Sequence, residues 1–171
     1  PVEISVTPRN TAVEAVEHFL YPLDQNQKTK ALIKLIKTEK WQQAIVFSRT
    51  KHGANRIAKN LLQKGISAAA IHGNKSQAAR TKALAALKDG SVKILVATDI
   101  AARGIDIDQL PQVVNFDLPH VAEDYIHRIG RTGRAGSTGK AVSLVSSDEF
   151  DQLKGIERLL KRLIPRKEIE E

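Results

Sequence analysis

Short apolar runs alternate along this chain with longer stretches of helical period, and the alternation predicts a parallel α/β sheet. Residues 13–21 read as a first strand, with Pro22 at its end. Residues 28–38 follow at helical spacing, with Leu32, Ile33, Leu35 and Ile36 as the buried stripe. Residues 44–47 form a short buried strand. The helix over 51–64 puts Ala54, Ile57, Ala58, Leu61 and Leu62 on one face, and Gly65 ends it. The next strand covers 67–71. Ser76 caps a helix running to about Lys88, broken by Asp89-Gly90. Further strands cover 92–97, 113–116 and 141–145, and an amphipathic segment covers 122–126. Ser146 and Glu149 have the spacing of a capping box. They open a last helix with Phe150, Leu153, Ile156, Leu160 and Leu163 inward, ending near Pro165.

In an open parallel sheet, ligands collect beyond the carboxyl ends of the strands. Four loops of chemical interest fall there. Ser48-Arg49-Thr50 follows Phe47, His72-Gly73 follows Ile71, Thr98-Asp99 follows Ala97, and a glycine- and arginine-rich run follows the amphipathic segment. At 171 residues the chain suits one substantial core. Residues 1–10 read as an interdomain linker or an arbitrary start, 11–165 as the domain, and 166–171 as a frayed, charged tail.

Charge changes the picture more than length does. Twenty-seven basic residues against 19 acidic ones leave a net charge of +8, which attracts polyanions. Only seven residues are aromatic (four Phe, two Tyr and one Trp), most in core-like contexts, so the chain is poorly supplied with exposed platforms for stacking bases. That favours gripping a nucleic-acid backbone without regard to sequence. The absence of cysteine excludes disulfides and thiolate metal sites and agrees with a cytoplasmic setting. The five histidines have no zinc-site spacing, and the acidic pairs Asp106/Asp108 and Glu123/Asp124 read as surface. No membrane span and no metal site is expected.

The run His127-Arg128-Ile129-Gly130-Arg131-Thr132-Gly133-Arg134-Ala135-Gly136 sets three arginines at a spacing of three, with glycines between. Guanidinium forks match phosphate oxygens two at a time, and glycines let the backbone approach a ligand. Such a cluster suits stabilising charge on a transferring phosphate; a solvated basic turn is the bland alternative. Upstream, Ile94-Leu95-Val96-Ala97-Thr98-Asp99-Ile100-Ala101-Ala102-Arg103-Gly104-Ile105-Asp106 ends an apolar run abruptly in Thr-Asp. Together the two stretches resemble motifs V and VI of superfamily 2 helicases, in the wording of the DEAD-box RNA helicases. Phe47-Ser48-Arg49-Thr50-Lys51 resembles motif IV and Ile71-His72-Gly73-Asn74-Lys75-Ser76-Gln77-Ala78-Ala79-Arg80 resembles motif IVa, with the RhlE type as the nearest subgroup. The family usually has Asp where Asn74 stands, so no role of that carboxylate carries over.

The resemblance implies the C-terminal RecA-like domain of an ATP-dependent RNA helicase: an open, mainly parallel twisted sheet with helices on both faces. Arg131 and Arg134 would be arginine fingers on the γ-phosphate, with Gly104 and Asp106 at the ribose. Arg128 would join them at ATP or make a structural ion pair with an acid of motif V or of the partner domain. Gly73, Gln77, Arg80, Thr98 and Arg49 would hold RNA phosphates, Ser48 and Thr50 less directly, since Thr50 also suits a helix cap. His127 would couple to the N-terminal RecA-like domain. The phosphate loop and the Asp-Glu-Ala-Asp tetrad of that other domain do not occur in this chain; Gly139-Lys140 lacks the earlier glycine and the hydroxyl that follows. Mg²⁺ would be held by the missing domain, this fragment binding no cofactor tightly and, as a monomer, being inactive alone. Two alternatives stay open: the second domain of a superfamily 2 DNA helicase or translocase, and a non-catalytic RecA-like nucleic-acid- or protein-binding module.

Overall fold

The computed structural model describes residues 16–73, 75–103, 110–129 and 139–168. In chain order they form β1 (Val16–Pro22), α1 (Lys28–Glu39), β2 (Ala44–Phe47), α2 (Lys51–Gln63), β3 (Ala68–Ile71) and α3 (Gln77–Asp89). There follow β4 (Ile94–Ala97), α4 (Asp99–Arg103), β5 (Gln112–Asn115), α5 (Ala122–Ile129), β6 (Gly139–Val145) and α6 (Phe150–Leu160). Among the described residues the six strands make one sheet in the order β1-β6-β5-β2-β4-β3, every pairing parallel.

β2, β3 and β4 read as unbroken apolar runs because both faces are covered. Phe19, Tyr21, Val46, Val96, Val114 and Leu144 turn to one face and pack under α1 and α2, against Leu32, Ile36, Ile57 and Leu61. The alternate positions turn to the other face. There Ile45, Phe47, Leu95 and Val113 meet α3 and α4, and Leu20, Ala141 and Val145 meet α5 and α6. The loop leaving β2 runs to the first face, while the loops leaving its neighbours β4 and β5 run to the second. That divergence opens a crevice at the carboxyl end of β2.

Local signals explain most element ends. Thr50 Oγ1 accepts from the Gly53 amide at 2.9 Å and starts α2; Ser76 Oγ accepts from the Ala79 amide at 3.1 Å and starts α3. Gly65 and Gly90 take φ of +78° and +88°, the left-handed turn that ends α2 and α3. Leu62, Phe150 and Leu163, expected inward, are 56%, 46% and 74% exposed, so the buried stripes are narrower than the apolar pattern suggests. The last helix ends at Leu160 rather than near Pro165, closed by Lys161 in the left-handed region. The tail is also tied down at its start: the Lys167 amide donates to Leu20 O at 2.8 Å, and Arg166 pairs with Glu157 at 2.7 Å, covering the edge of β1.

Candidate functional site

The rim at the carboxyl ends of the strands gathers the predicted loops. Beyond β2, Ser48 is fully buried, with its hydroxyl 3.2 Å from Thr50 O and 3.4 Å from Asp117 Oδ2. The Arg49 amide donates to the same Asp117 oxygen at 3.1 Å. Ser48 and Thr50 therefore spend their hydroxyls on loop and helix, while the Arg49 side chain remains partly exposed. Gly53 is what lets this turn close. A Cβ there would lie 2.5 Å from Ser48 Oγ and 2.9 Å from Thr50 Oγ1.

Next to it, the Thr98 amide donates to Ile71 O at 3.3 Å, which brings Thr98 beside His72-Gly73. Space above Gly73 is open: an added Cβ would meet nothing within 4 Å. His72 lies 3.0 Å from Asn55 Oδ1 through Nε2. Burial holds its pKa below the usual histidine value, and the charges of Lys75, Lys51, His52 and Arg80 add to the effect. Gln77 and Arg80 sit on the first turn of α3, and Arg80 Nε is buried without an acceptor among the described residues. An orphan guanidinium donor costs free energy unless something meets it.

Arg128 is the largest fully buried side chain of the described residues, 1% exposed. Nε and Nη2 donate to Asp99 Oδ1 and Oδ2 at 2.7 and 2.8 Å, a two-pronged clasp between α5 and the residue that follows Thr98. Nη1 donates to Asn115 Oδ1 at 2.9 Å and Asp117 O at 2.6 Å, and the guanidinium lies 5.0 Å from the Phe47 ring centre. Of the readings open for Arg128, the ion pair with the motif V acid is present, and the side chain is turned inward. A polar seam continues from it across the sheet. Asn115 Nδ2 donates to Ser143 Oγ at 3.1 Å, Ser143 meets Tyr125, and the Tyr125 hydroxyl lies 2.8 Å from His18 Nδ1. Burial pushes the Tyr125 pKa far up. His127, one residue before Arg128, points outward, its side chain 48% exposed and 3.6 Å from Asp124.

A second buried charge was not foreseen. Lys28 is fully buried and donates to Phe116 O at 2.8 Å and to Glu149 Oε1. Glu149 completes the capping box on Ser146 and accepts from the Leu118 amide at 2.8 Å through Oε2. The pair pins the segment after β5, the one that carries Asp117 to Ser48 and Arg49. The available signal was position: Lys28 lies on the same helical face as Ala31, Leu32 and Leu35.

Gly104 and Asp106, Arg131 and Arg134, and also Asn74, lie outside the described residues. Among the described residues no group of three His, Asp or Glu could hold a metal ion, and no helix is long and apolar enough to cross a membrane.

The helicase conserved C-terminal domain family matches residues 27–136, the stretch that holds the clasp and the rim. The chain belongs to that family. This helicase C-terminal domain is 42% identical to the ATP-dependent RNA helicase RhlB of Pseudomonas putida over 96% of its own length and 41% of RhlB. It thus spans about two fifths of that relative. Its fold resembles the crystal structure of a DEAD box protein from Methanococcus jannaschii, with a TM-score of 0.84 and 39% identity, covering 91% of this chain and 42% of that one. It also resembles E. coli DEAD-box protein SrmB, solved bound to the regulator of ribonuclease activity RraA, with a TM-score of 0.82 and 36% identity, covering 90% and 91%. The sheet is that of the RecA-like C-terminal domains of DEAD-box helicases.

Proposed function

We infer that this domain is the C-terminal half of an ATP-dependent RNA helicase, of the RhlE type by the wording of its motifs. With an N-terminal RecA-like domain it would close around ATP, Mg²⁺ and single-stranded RNA in the cytoplasm. What supports the RNA role best is the orphan donor of Arg80, held on the rim where Thr98 and the open space over Gly73 also lie. A hydroxyl, a backbone amide and a guanidinium are groups that take phosphate oxygens without reading a base. Arg80 and Gln77 lie on the first turn of α3, and Arg49 is the partly exposed side chain of the adjoining loop.

For the nucleotide, the supporting feature is the Arg128–Asp99 clasp. It fixes the end of α5 at Ile129, within the glycine- and arginine-rich run and directly before Gly130 in the sequence. Arg131 and Arg134 follow that anchor two and five residues further along the sequence and would meet the γ-phosphate. ATP supplies the phosphoryl group and leaving diphosphate; this chain supplies guanidinium charge there and, through Asp106 and Gly104, a grip on the ribose. His127, exposed beside the clasp, would couple to the partner domain. The chain has no phosphate loop, and its residues would bind and orient the nucleotide.

The test is complementation. The 171-residue chain should show no ATPase activity above background, with or without RNA, and should raise the RNA-stimulated activity of a separately expressed N-terminal domain at high concentration. Robust hydrolysis by the chain alone, surviving further purification, contradicts the reading.

A further inference from the structure

The opposite rim of the sheet carries a second concavity. The segments entering β2, β3 and β4 enclose about 300 Å³, floored by Ile36 and Ile66, walled by Trp41 and rimmed by Lys37, Lys40 and Lys93. The four residues of β2, at about 3.3 Å each, separate it from the Ser48–Thr50 loop by about 13 Å. Its shape has local causes. Lys40 adopts the left-handed conformation that ends α1, and the Trp41 amide turns back to Ile36 O at 3.2 Å. The indole is thereby laid partly buried against the apolar core, with its remaining surface toward the cavity. Gly65, at φ +78° with open space where a Cβ would be, leaves the mouth unobstructed.

Among the described residues no ion pair joins Lys37, Lys40 or Lys93 to a carboxylate. Lys37 and Lys40 offset the carbonyl dipole at the end of α1. Lys93 enters a strand and has no such reason to be there. We propose that this cavity binds one nucleotide of a single-stranded nucleic acid, its base stacked on Trp41 and its flanking phosphates held by Lys37, Lys40 and Lys93. A planar wall between cations is what sequence-tolerant strand binding uses, since every base has a π face and ammonium groups meet phosphates as point charges. The volume sits at the low end for ligand sites and accommodates a base better than a folded partner. An acidic peptide would satisfy the lysines but leave the indole without a planar partner. The site would tether a strand segment lying away from the carboxyl-end rim, and it stands independently of the roles given to that rim.

Trp41 is the chain's single tryptophan, so native emission reports on this cavity alone. The experiment titrates the 171-residue chain with fluorescein-labelled oligouridylate for anisotropy and unlabelled oligouridylate for tryptophan emission, at two salt concentrations. Parallel arms use poly-glutamate and inorganic phosphate. Saturable quenching by oligouridylate, weakened by salt and absent with phosphate, is expected. In the Lys37→Ala/Lys93→Ala variant the apparent affinity from quenching should fall at least several-fold. The slope of log affinity against log salt should fall by about 0.7 for each phosphate that no longer meets a lysine. Lys154→Ala, on the exposed side of α6, should leave the quenching unchanged. Oligonucleotide binding without quenching, quenching insensitive to both lysines, or equal quenching by poly-glutamate overturns the proposal. In the first case anisotropy sensitive to Arg80→Ala keeps the carboxyl-end reading alive. Quenching that persists while no rim substitution alters binding supports the cavity and removes that reading instead.

Discussion

The two faces of this sheet are built on different principles. Under α1 and α2 the packing is apolar from Phe19 and Tyr21 on the edge to Ile94 and Val96 beyond the centre, with the buried Lys28–Glu149 pair at its margin. Under α5 runs a line of buried polar groups, His18, Tyr125, Ser143, Asn115 and Arg128, that ends on the partly exposed Asp99. An apolar face stabilises without specifying much beyond volume. A hydrogen-bonded seam is costly if any member is removed, and it fixes direction as well as proximity. The difference teaches where precision is needed. The face that must hold the end of α5 relative to β4 and β5 is the one that carries the longer polar seam.

The sharpest way to break that contrast is to remove one partner of the clasp. Arg128→Leu leaves Asp99 and Asn115 without their donor and should cost about 3–5 kcal/mol of stability in urea denaturation. Adding Asp99→Leu should restore part of the loss, because a buried pair replaced whole costs less than one broken. A loss under about 1 kcal/mol for the single change would make the seam ornamental. On the apolar face, Ile57→Ala should cost about 2–4 kcal/mol by the same measurement, while Leu62→Ala, on the exposed side of the same helix, should stay within about 0.5 kcal/mol. Equal losses at the two positions would contradict the packing described.

That last pair also marks what was legible. Apart from α4, which was not foreseen, the helices, the strands and the carboxyl-end rim follow from period and turn residues, and the boundaries of β2 were readable to the residue. Leu62 departs from expectation because apolar spacing alone defines a wider stripe than α2 buries. The buried polar groups were hidden for a different reason. Asn115, Ser143 and Lys28 look like surface residues until the strands beside them have been placed, since their partners are 13 to 121 positions away. For Arg128 the ion pair with a motif V acid was one of two readings open in the sequence, but its depth of burial was not legible. Gly53 reads only as part of a helix, because its closeness to Ser48 and Thr50 arises once the turn is closed.

Smaller effects sharpen the comparison at the rim. Thr50→Ala removes the cap of α2 and should cost about 1 kcal/mol, read as a shift in urea midpoint with unchanged slope. The pH dependence should be smaller still. His72 has a lowered pKa in the fold, so the unfolded chain binds its proton more readily. Its contribution is present above the ordinary histidine value of about 6.5 and fades as pH falls through it. The urea midpoint should therefore drop between neutral pH and about 5.5, and His72→Gln should flatten that drop. A steeper drop in the variant would reverse the sign.

The central claim is that Arg131 and Arg134 act from the anchor that Arg128 and Asp99 provide. The direct measurement is steady-state ATPase kinetics of the full-length enzyme at saturating RNA, alongside nucleotide binding, for Arg131→Ala, Arg134→Ala and Arg80→Ala. The first two should lower kcat by about 10³-fold or more with nucleotide affinity changed far less, since guanidinium charge matters most in the transition state. Arg80→Ala should instead raise the RNA concentration needed for stimulation. If Arg131→Ala and Arg134→Ala both left kcat near that of the unaltered enzyme, the glycine- and arginine-rich run would be a solvated basic turn and the clasp merely structural.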